Sequence, residues 1–272
     1  MKPTLLAIDV SYQTYRAAAA HPMLSHEGAF TGGLYGFLTT LAKQIRETQA
    51  TRVVACFDVK PYRRSLIYPQ YKLLRKKNAD EELLLAFQES LPMVTEVLSL
   101  IGVPLMKYEG FESDDCIGAL VVHHRSRYAT IYAASNDSDL YQLLRCPTFK
   151  VIRKDINDVM TGEKLGVTPE EHMMASALTG THNDIEGIPN VGPVTALKAL
   201  RDPALMRKLR ERWDEVIERN LKLIKLPHPE FPRIAPPAPS AGFYSRDLYK
   251  FCARYDIQVT KAMLDAFESA SQ

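Results

Sequence analysis

The sequence predicts an α/β fold: a mainly parallel central sheet flanked by helices, followed by a helical helix–hairpin–helix C-terminal region. Three observations carry this. Short apolar runs at 5–10, 52–58, 103–108 and 129–134 alternate with segments of helical spacing, as strands buried between helices do. Acidic residues stand at or just after the end of each run: Asp9, Asp58, the Glu112/Asp114/Asp115 group, and Asp137 with Asp139. From about Val167 the alternation stops, and two helical patterns flank a Gly/Pro/Asn loop at 187–192.

Taken in order, the first run is a strand that stops at Asp9, and a helix is expected over 34–46. The second run ends in Asp58 and leads into a basic stretch. A long helix is expected from about 80 to 101, with apolar residues three and four apart. The third run leads to Glu112, Asp114 and Asp115, then to a helix over 114–124 whose His123-His124 pair reads as structural. The fourth run precedes Asp137 and Asp139. Thr168-Pro169-Glu170-Glu171 has the form of a helix start: N-cap, Pro at the first position, acids in the first turn. The hairpin loop follows, then a helix over about 193–200. Six prolines within 226–239 exclude a regular helix and indicate an extended strap. Helical spacing returns over 244–269. The expected division is a core over 1–165 with a basic arch at about 60–80, a helix–hairpin–helix region over 166–225, and a strap with terminal helices over 226–272.

Composition narrows the class. With 34 basic and 32 acidic residues the net charge is +2, so affinity for nucleic acid has to come from local patches. No stretch approaches the roughly 20 apolar residues of a membrane span, and none is expected to meet a membrane. The N-terminal apolar run is too short for a signal-peptide core. Four scattered cysteines, with no CxxC, read as reduced thiols in a cytoplasmic protein.

In open parallel sheets, sites lie beyond the carboxyl ends of the strands, so these acids gather at one edge. Several carboxylates packed together raise one another's pKa unless a cation is present. Oxygen ligands with few histidines suit Mg2+ or Mn2+ rather than zinc. Two such ions can activate a water and stabilise a leaving oxygen in phosphodiester hydrolysis. Any single one of these acids is more simply a solvated side chain or a helix cap; the set at strand ends is not. From Lys60 to Lys77 there are seven Lys/Arg and no acid, interleaved with Tyr62, Tyr68 and Tyr71. Cations with aromatics suit phosphates and stacked bases. Backbone N–H groups of the glycine hairpin can bind phosphate without reading sequence. The small residues Gly32, Gly33 and Gly36 would let a DNA backbone approach. GxxxxGKS/T, GxSxG and HExxH motifs are absent from the sequence.

These motifs occur in a recognisable order: Ile8-Asp9-Val-Ser11 with Tyr15-Arg16-Ala17, the 31–38 glycine segment, Phe57-Asp58, Tyr71-Lys72-Leu-Leu-Arg75, Glu112-Ser-Asp114-Asp115, the 136–143 Asp-x-Asp-Leu-Tyr-Gln-Leu element, and the hairpin segment 180–196. Together they resemble the flap endonuclease / 5′→3′ exonuclease family, similar to the 5′-nuclease domain of bacterial DNA polymerase I and most like free-standing bacteriophage members. The resemblance spans about 5–200. It implies a PIN-like nuclease fold and a structure-selective 5′ nuclease acting by two-metal catalysis, in primer or flap removal or DNA degradation. Asp9, Asp58, Glu112, Asp114 and, less firmly matched, Asp115 would hold the first Mg2+ (or Mn2+). Asp137, Asp139 and Asp184 would hold the second. Lys72 and Arg75 would act on the scissile phosphate. DNA contacts would come from Arg16, Gly32, Gly33, Arg63, Arg64, Tyr71, Lys76, Lys77 and the hairpin residues Gly187, Ile188, Asn190, Val191 and Gly192, with K+ at the hairpin. The implied partner is DNA with 5′ ends, flaps or nicks, with RNA:DNA hybrids as a further substrate class and a monomeric protein.

The segment 180–184 departs from the family pattern. Thr181 stands where an Asp is usual, and the stretch from Asp184 to Gly187 is one residue short. The match of Asp184 is therefore open, and Asn183 or Glu186 could share its role. Asn190 replaces a common Gly, and Val194 a common Lys. The competing reading is a DNA-structure-binding protein with weakened or lost catalysis.

Overall fold

The computed structural model describes residues 2–74, 80–237 and 243–270. Its centre is a six-stranded sheet in the order β5-β4-β1-β6-β7-β8. These strands are β1 (Thr4–Asp9), β4 (Arg52–Cys56), β5 (Leu105–Met106), β6 (Thr130–Ala134), β7 (Phe149–Ile152) and β8 (Val159–Met160), with two-residue β2 (Ser25–His26) and β3 (Ala29–Phe30) forming a small hairpin outside the sheet. Within the six-stranded sheet all pairings are parallel except β7 with β8. The chain leaves β1 toward β4 and β5, then returns to β6 on the other side of β1. That reversal opens a crevice beyond the carboxyl ends of β1, β4 and β6, where a parallel α/β sheet places its ligands.

Alternation along β1 explains the layering. Leu6 and Ile8 enter one core and Leu5 and Ala7 the other, because successive strand side chains point to opposite faces. The first core is closed by α1 (Val10–Ala20), α2 (Gly32–Thr48) and α4 (Glu81–Leu100), joined by the terminal helices. The second is closed by α5 (Ser113–His124) and by Leu226, Phe231 and Ile234 of the proline strap. Within the described part of the strap, the Ile234 carbonyl meets His124 Nε2 at 3.0 Å. The short α3 (Arg64–Ile67) interrupts the basic stretch.

The C-terminal part contains α6 (Pro169–Thr179), the two-stranded β9 (Gly180–Thr181) and β10 (Ile185–Glu186), α7 (Pro193–Arg201) and α8 (Pro203–Ile224). Thr168 caps α6 reciprocally with Glu171, the capping box its sequence spells. α8 has no counterpart in the sequence expectations; its helical geometry is broken only at Trp213. α9 (Ser245–Ala253) and α10 (Lys261–Ser269) return to the first core through Leu248, Phe251, Met263 and Phe267.

Two expectations change. Gly32 and Gly33 do not open α2 to DNA; both are buried. A Cβ on Gly32 would lie 2.1 Å from the His21 carbonyl oxygen, and one on Gly33 2.1 Å from Ser90 Oγ. Their small size serves packing against α1's end and α4. α4 itself is long and apolar enough to cross a membrane by length and composition, with a mean hydropathy of 1.3 over its most apolar window. The sequence reading had found no such stretch. In the fold, Met93, Val94, Val97 and Leu98 of α4 pack in the first core. All four cysteines are buried free thiols.

Candidate functional site

Asp9 is the last residue of β1 and the N-cap of α1: its Oδ1 accepts the Tyr12 N–H at 3.1 Å. Its Oδ2 accepts from Ser135 Oγ at 2.9 Å. Burial, and then the neighbouring Asp58, push the Asp9 carboxyl up to about 7. Asp58 follows β4, and its Oδ1 accepts the Ser113 N–H at 3.0 Å, which ties it to the start of α5. Three strands thus deliver acids to one edge. Ser135, just beyond β6, links them: its hydroxyl also accepts the Asp137 N–H at 3.2 Å. Sequence reasoning passed over Ser135, because a lone serine after a strand carries no pattern.

Glu112, Asp114 and Asp115 cluster at the N-terminus of α5, with one ligand atom of each within 4.8 Å of the others. All three are buried, and the helix dipole favours negative charge there. Arg64 is their internal counter-ion. It donates to Glu112 Oε2 at 2.9 Å and to both oxygens of Asp115, at 2.6 and 2.8 Å. Its Nε donates to the Leu223 carbonyl at 2.7 Å. Arg64 is 2% exposed, so it is not a DNA contact; it neutralises the acid cluster. Burial works to raise the Glu112 carboxyl, but Lys72 and Arg64 outweigh it and hold the group below the usual range.

Asp115 is fully engaged. Besides Arg64, its Oδ1 accepts the His228 N–H at 2.7 Å and its Oδ2 the Glu112 N–H at 3.2 Å. A carboxylate has about four lone-pair directions, so Asp115 reads as the residue that fixes Arg64 and the strap rather than as a ligand. Asp114 is the opposite case. It is buried, its Oδ1 has no hydrogen-bond partner, and its pKa is raised strongly by burial against the partial relief of Arg64. A buried carboxylate oxygen without a partner is costly. A hard divalent cation would supply what that oxygen lacks: ligand atoms of Glu112, Asp114 and Asp115 lie close enough together to hold one, and Asp58 is tied to the start of the same helix.

Tyr71 was expected at the DNA; it is 5% exposed and donates its hydroxyl to Glu112 Oε2 at 2.8 Å. With Tyr68 it packs against Ala177, Ile185, Leu223 and Ile224, so the two tyrosines anchor the segment 68–71 to α6 and α8. Lys72 Nζ donates to Glu112 Oε1, and its φ of 55° is left-handed. Lys72 therefore stands at the cluster. Arg63 is exposed and pairs with Glu230 at 2.5 Å. Arg16 donates to the Lys154 carbonyl. Arg75, Lys76 and Lys77 lie outside the described residues.

The second group lies beyond β6. Asp137 caps the 3-10 turn Ser138–Arg145 through the Asp139 N–H at 2.8 Å. Burial, and then Asp137, push the Asp139 carboxyl up to about 8. The 181–184 turn reaches this pair with Asn183, one of the alternatives to Asp184, and with His182. Asn183 Nδ2 lies 3.3 Å from Asp139 Oδ2, and His182 Nε2 lies 4.0 Å from Asp137 Oδ2. Asp184 instead accepts the Leu74 N–H at 2.8 Å.

In the hairpin, Ile188 is buried with Leu178, Ala196 and Ile217, so it holds the loop to the helices and does not face DNA. Gly187 sits where a Cβ would lie 2.2 Å from the Thr179 carbonyl carbon. Asn190 adopts a φ of 63°, which Asn tolerates better than most residues. Asn190 is exposed and Val191 half-buried, and Gly192 has open space around it before α7. These three leave the loop accessible.

Comparison with known proteins accords with this arrangement. A family model described as "5′-3′ exonuclease, N-terminal resolvase-like domain" matches residues 4–172. The chain is 33% identical over 228 residues to DNA polymerase I of Bacillus subtilis (strain 168), covering 80% of this chain and 25% of that protein. It is 32% identical over 241 residues to a 5′-3′ exonuclease of Aquifex aeolicus (strain VF5), covering 82% of this chain and 81% of the relative. The chain thus spans about a quarter of the polymerases it matches. A bacteriophage T5 flap endonuclease, solved as a pseudo-enzyme–product complex with DNA and metal ions, superimposes with a TM-score of 0.69 at 19% identity, covering 99% of this chain and 100% of the other. At that identity the likeness is one of fold.

Proposed function

Because the chain belongs to the 5′→3′ exonuclease family, we propose that it is a divalent-metal-dependent, structure-selective 5′ nuclease that hydrolyses DNA phosphodiesters. The observation that carries this reading is Asp114: a buried carboxylate with an unpartnered oxygen, among acids that three parallel strands bring to one edge. Asp9, Asp58, Glu112 and Asp114 would hold one cation. Asp137 and Asp139 would hold the other. When bound, a pair of Mg2+ or Mn2+ ions supplies an activated water and charge stabilisation at the leaving oxygen.

The remaining chemistry belongs to the chain itself. Lys72 is held at the cluster by Glu112, from which its ammonium can turn to a phosphate and offset developing negative charge. Tyr71 and Arg64 fix the Glu112 carboxylate by hydrogen bonds from two sides, so its geometry does not depend on substrate. The accessible hairpin around Asn190 and Gly192 would hold the duplex by its backbone N–H groups, with K+ as the counter-ion there. DNA with 5′ ends, flaps or nicks is the substrate class, RNA:DNA hybrids are a further one, and the protein works as a monomer.

The non-catalytic reading was prompted by Thr181 alone. The acid cluster at the start of α5 is complete, which favours an enzyme. The test is cleavage of 5′-labelled flap, blunt duplex and single-stranded DNA while Mg2+ or Mn2+ is titrated. Metal-dependent cuts near the 5′ junction are expected. Specific flap binding without cleavage in either ion would overturn the proposal.

A further inference from the structure

Residues 223–228, where α8 ends and the strap begins, are gripped from both acid groups. On the first side, Arg64 donates to the Leu223 carbonyl at 2.7 Å and to the Lys225 carbonyl at 3.3 Å while it pairs with Glu112 and Asp115. Asp115 also accepts the His228 N–H at 2.7 Å. On the second side stands Gln142. Its Nε2 donates to the Ile224 carbonyl at 2.8 Å and to the Asp139 carbonyl at 2.7 Å, and its Oε1 accepts the Leu226 N–H at 2.9 Å. The last carbonyls of a helix have no partner inside it. Here a side chain from each acid group supplies one.

Gln142 is 8% exposed, and all three of its partners are main-chain groups. They use both amide hydrogens and the oxygen, so the amide has one orientation. Turned over, its oxygen would face two carbonyls and its NH2 group an N–H. The Asp139 backbone is thereby fixed at both ends: its N–H by Asp137 Oδ1 at 2.8 Å, its carbonyl by Gln142. α8 in turn packs through Ile217 on Leu178 and on Ile188 of the hairpin. The turn that carries Asp139 is therefore tied to the region that carries the hairpin, and through Arg64 to Glu112.

We propose that Gln142 is a positioning residue of the nuclease: it sets the Asp139 turn against the junction of α8 and the strap, and so fixes the spacing of the two acid groups. It touches no substrate and acts only through Asp139. The inference rests on the nuclease reading above. A misplacement of about 1 Å at a reacting group costs on the order of 10²-fold in rate, and three hydrogen bonds to main chain guard against one.

The test uses the full chain. Gln142→Met keeps the side-chain length and removes all three hydrogen bonds. On a 5′-labelled flap with saturating Mn2+, kcat should fall on the order of 10²-fold while KM stays within about 3-fold of the wild type. In the metal-free protein, hydrogen exchange read by mass spectrometry should rise ~10-fold across 138–145 and stay unchanged across 113–124, which Arg64 still holds. A merely structural role would raise both segments together. His124→Phe is the control: it removes the strap's contact at the Ile234 carbonyl but leaves the junction intact, and its kcat should match the wild type. An unchanged kcat in Gln142→Met, exchange that rises equally in both segments, or an equal kcat loss in His124→Phe overturns the proposal. Should Gln142→Met fail to fold by circular dichroism, Gln142→Asn, one methylene shorter, decides: an unchanged kcat there overturns it. A wild type that cuts no substrate in either ion sinks the nuclease reading itself, a result distinct from an active wild type indifferent to Gln142.

Discussion

Around Glu112 the protein supplies the positive charge, whereas around Asp139 it does not supply enough. Arg64 and Lys72 contribute to both regions. At Glu112 they outweigh burial and hold the carboxyl below its ordinary range. At Asp139 burial and Asp137 prevail over the same two cations, and the carboxyl rises to about 8. The difference is one of contact. Arg64 and Lys72 hydrogen-bond Glu112 directly, while Asp139 receives an amide from Asn183 and a carboxylate neighbour. One region is held in shape by a protein cation; the other stays strained until an ion arrives. Substitutions in the two should therefore move metal-free stability in opposite directions.

The largest effect is expected at Arg64. Arg64→Met leaves Asp115 as a buried charge without its counter-ion and strips Glu112 of one of its two cations, which costs about 3–5 kcal/mol. Urea denaturation of the metal-free protein should show the loss, and cleavage should fall with it. A stability change under about 1 kcal/mol would mean that the cluster is not held by this guanidinium. Asp139→Asn should do the reverse. Removing a buried acid that resists ionisation should raise metal-free stability at pH 8 by about 1–2 kcal/mol, while cleavage drops on the order of 10²-fold. A metal-free loss of stability there would erase the contrast between the two regions.

The contrast was only half legible in the sequence. The acids were, because each stands at or just after a strand end and parallel topology brings those ends together. Arg64 was not, since it sits in a run of seven basic residues and nothing in the run marks which one turns inward. Its burial depends on the Leu223 carbonyl at the end of α8 and on Asp115 across the sheet edge, contacts more than fifty residues distant in sequence. Tyr71 misled for a related reason: aromatics among cations suit nucleic acid, but this ring completes a small core with Ile185 and Leu223. Gly32 and Gly33 were visible as small residues, yet only Ser90 and His21 show what they make room for. At 181–184 the departure from the family pattern was plain in the sequence; which side chain would reach Asp139 was decided by the fold of a shortened turn.

A pH titration sharpens the comparison next. Asp9 and Asp139 titrate at about 7 and about 8 in the folded chain, against an ordinary value of 3.8. Between those limits the folded state binds more protons than the unfolded one. Stability from these groups is therefore fully present below 3.8 and is lost progressively as pH rises from there to about 7 for Asp9 and about 8 for Asp139. The melting temperature of the metal-free protein should fall across that window. Saturating Mn2+ should remove the fall, because bound cations take the place of the protons. A metal-free melting temperature that rises through the window would contradict the shifts at both residues.

The smallest effect separates Arg63 from its neighbour Arg64. Arg63 pairs with Glu230 at the surface, with both side chains well exposed, and its guanidinium lies 5.1 Å from the centre of the Phe111 ring. An exposed ion pair contributes about 0–1 kcal/mol, so Arg63→Ala should scarcely change the denaturation midpoint. Its place beside Arg64 and the acid cluster, at the surface, suits a phosphate contact. Losing one such contact should weaken DNA binding alike for all sequences and lower the salt dependence of affinity by about one counter-ion. Binding to a flap duplex measured by anisotropy at several salt concentrations reads that slope directly. An unchanged slope would make Arg63 a clasp for the strap alone. A lowered slope with unchanged stability would show that two adjacent arginines divide the work, one holding the acids and the other the substrate.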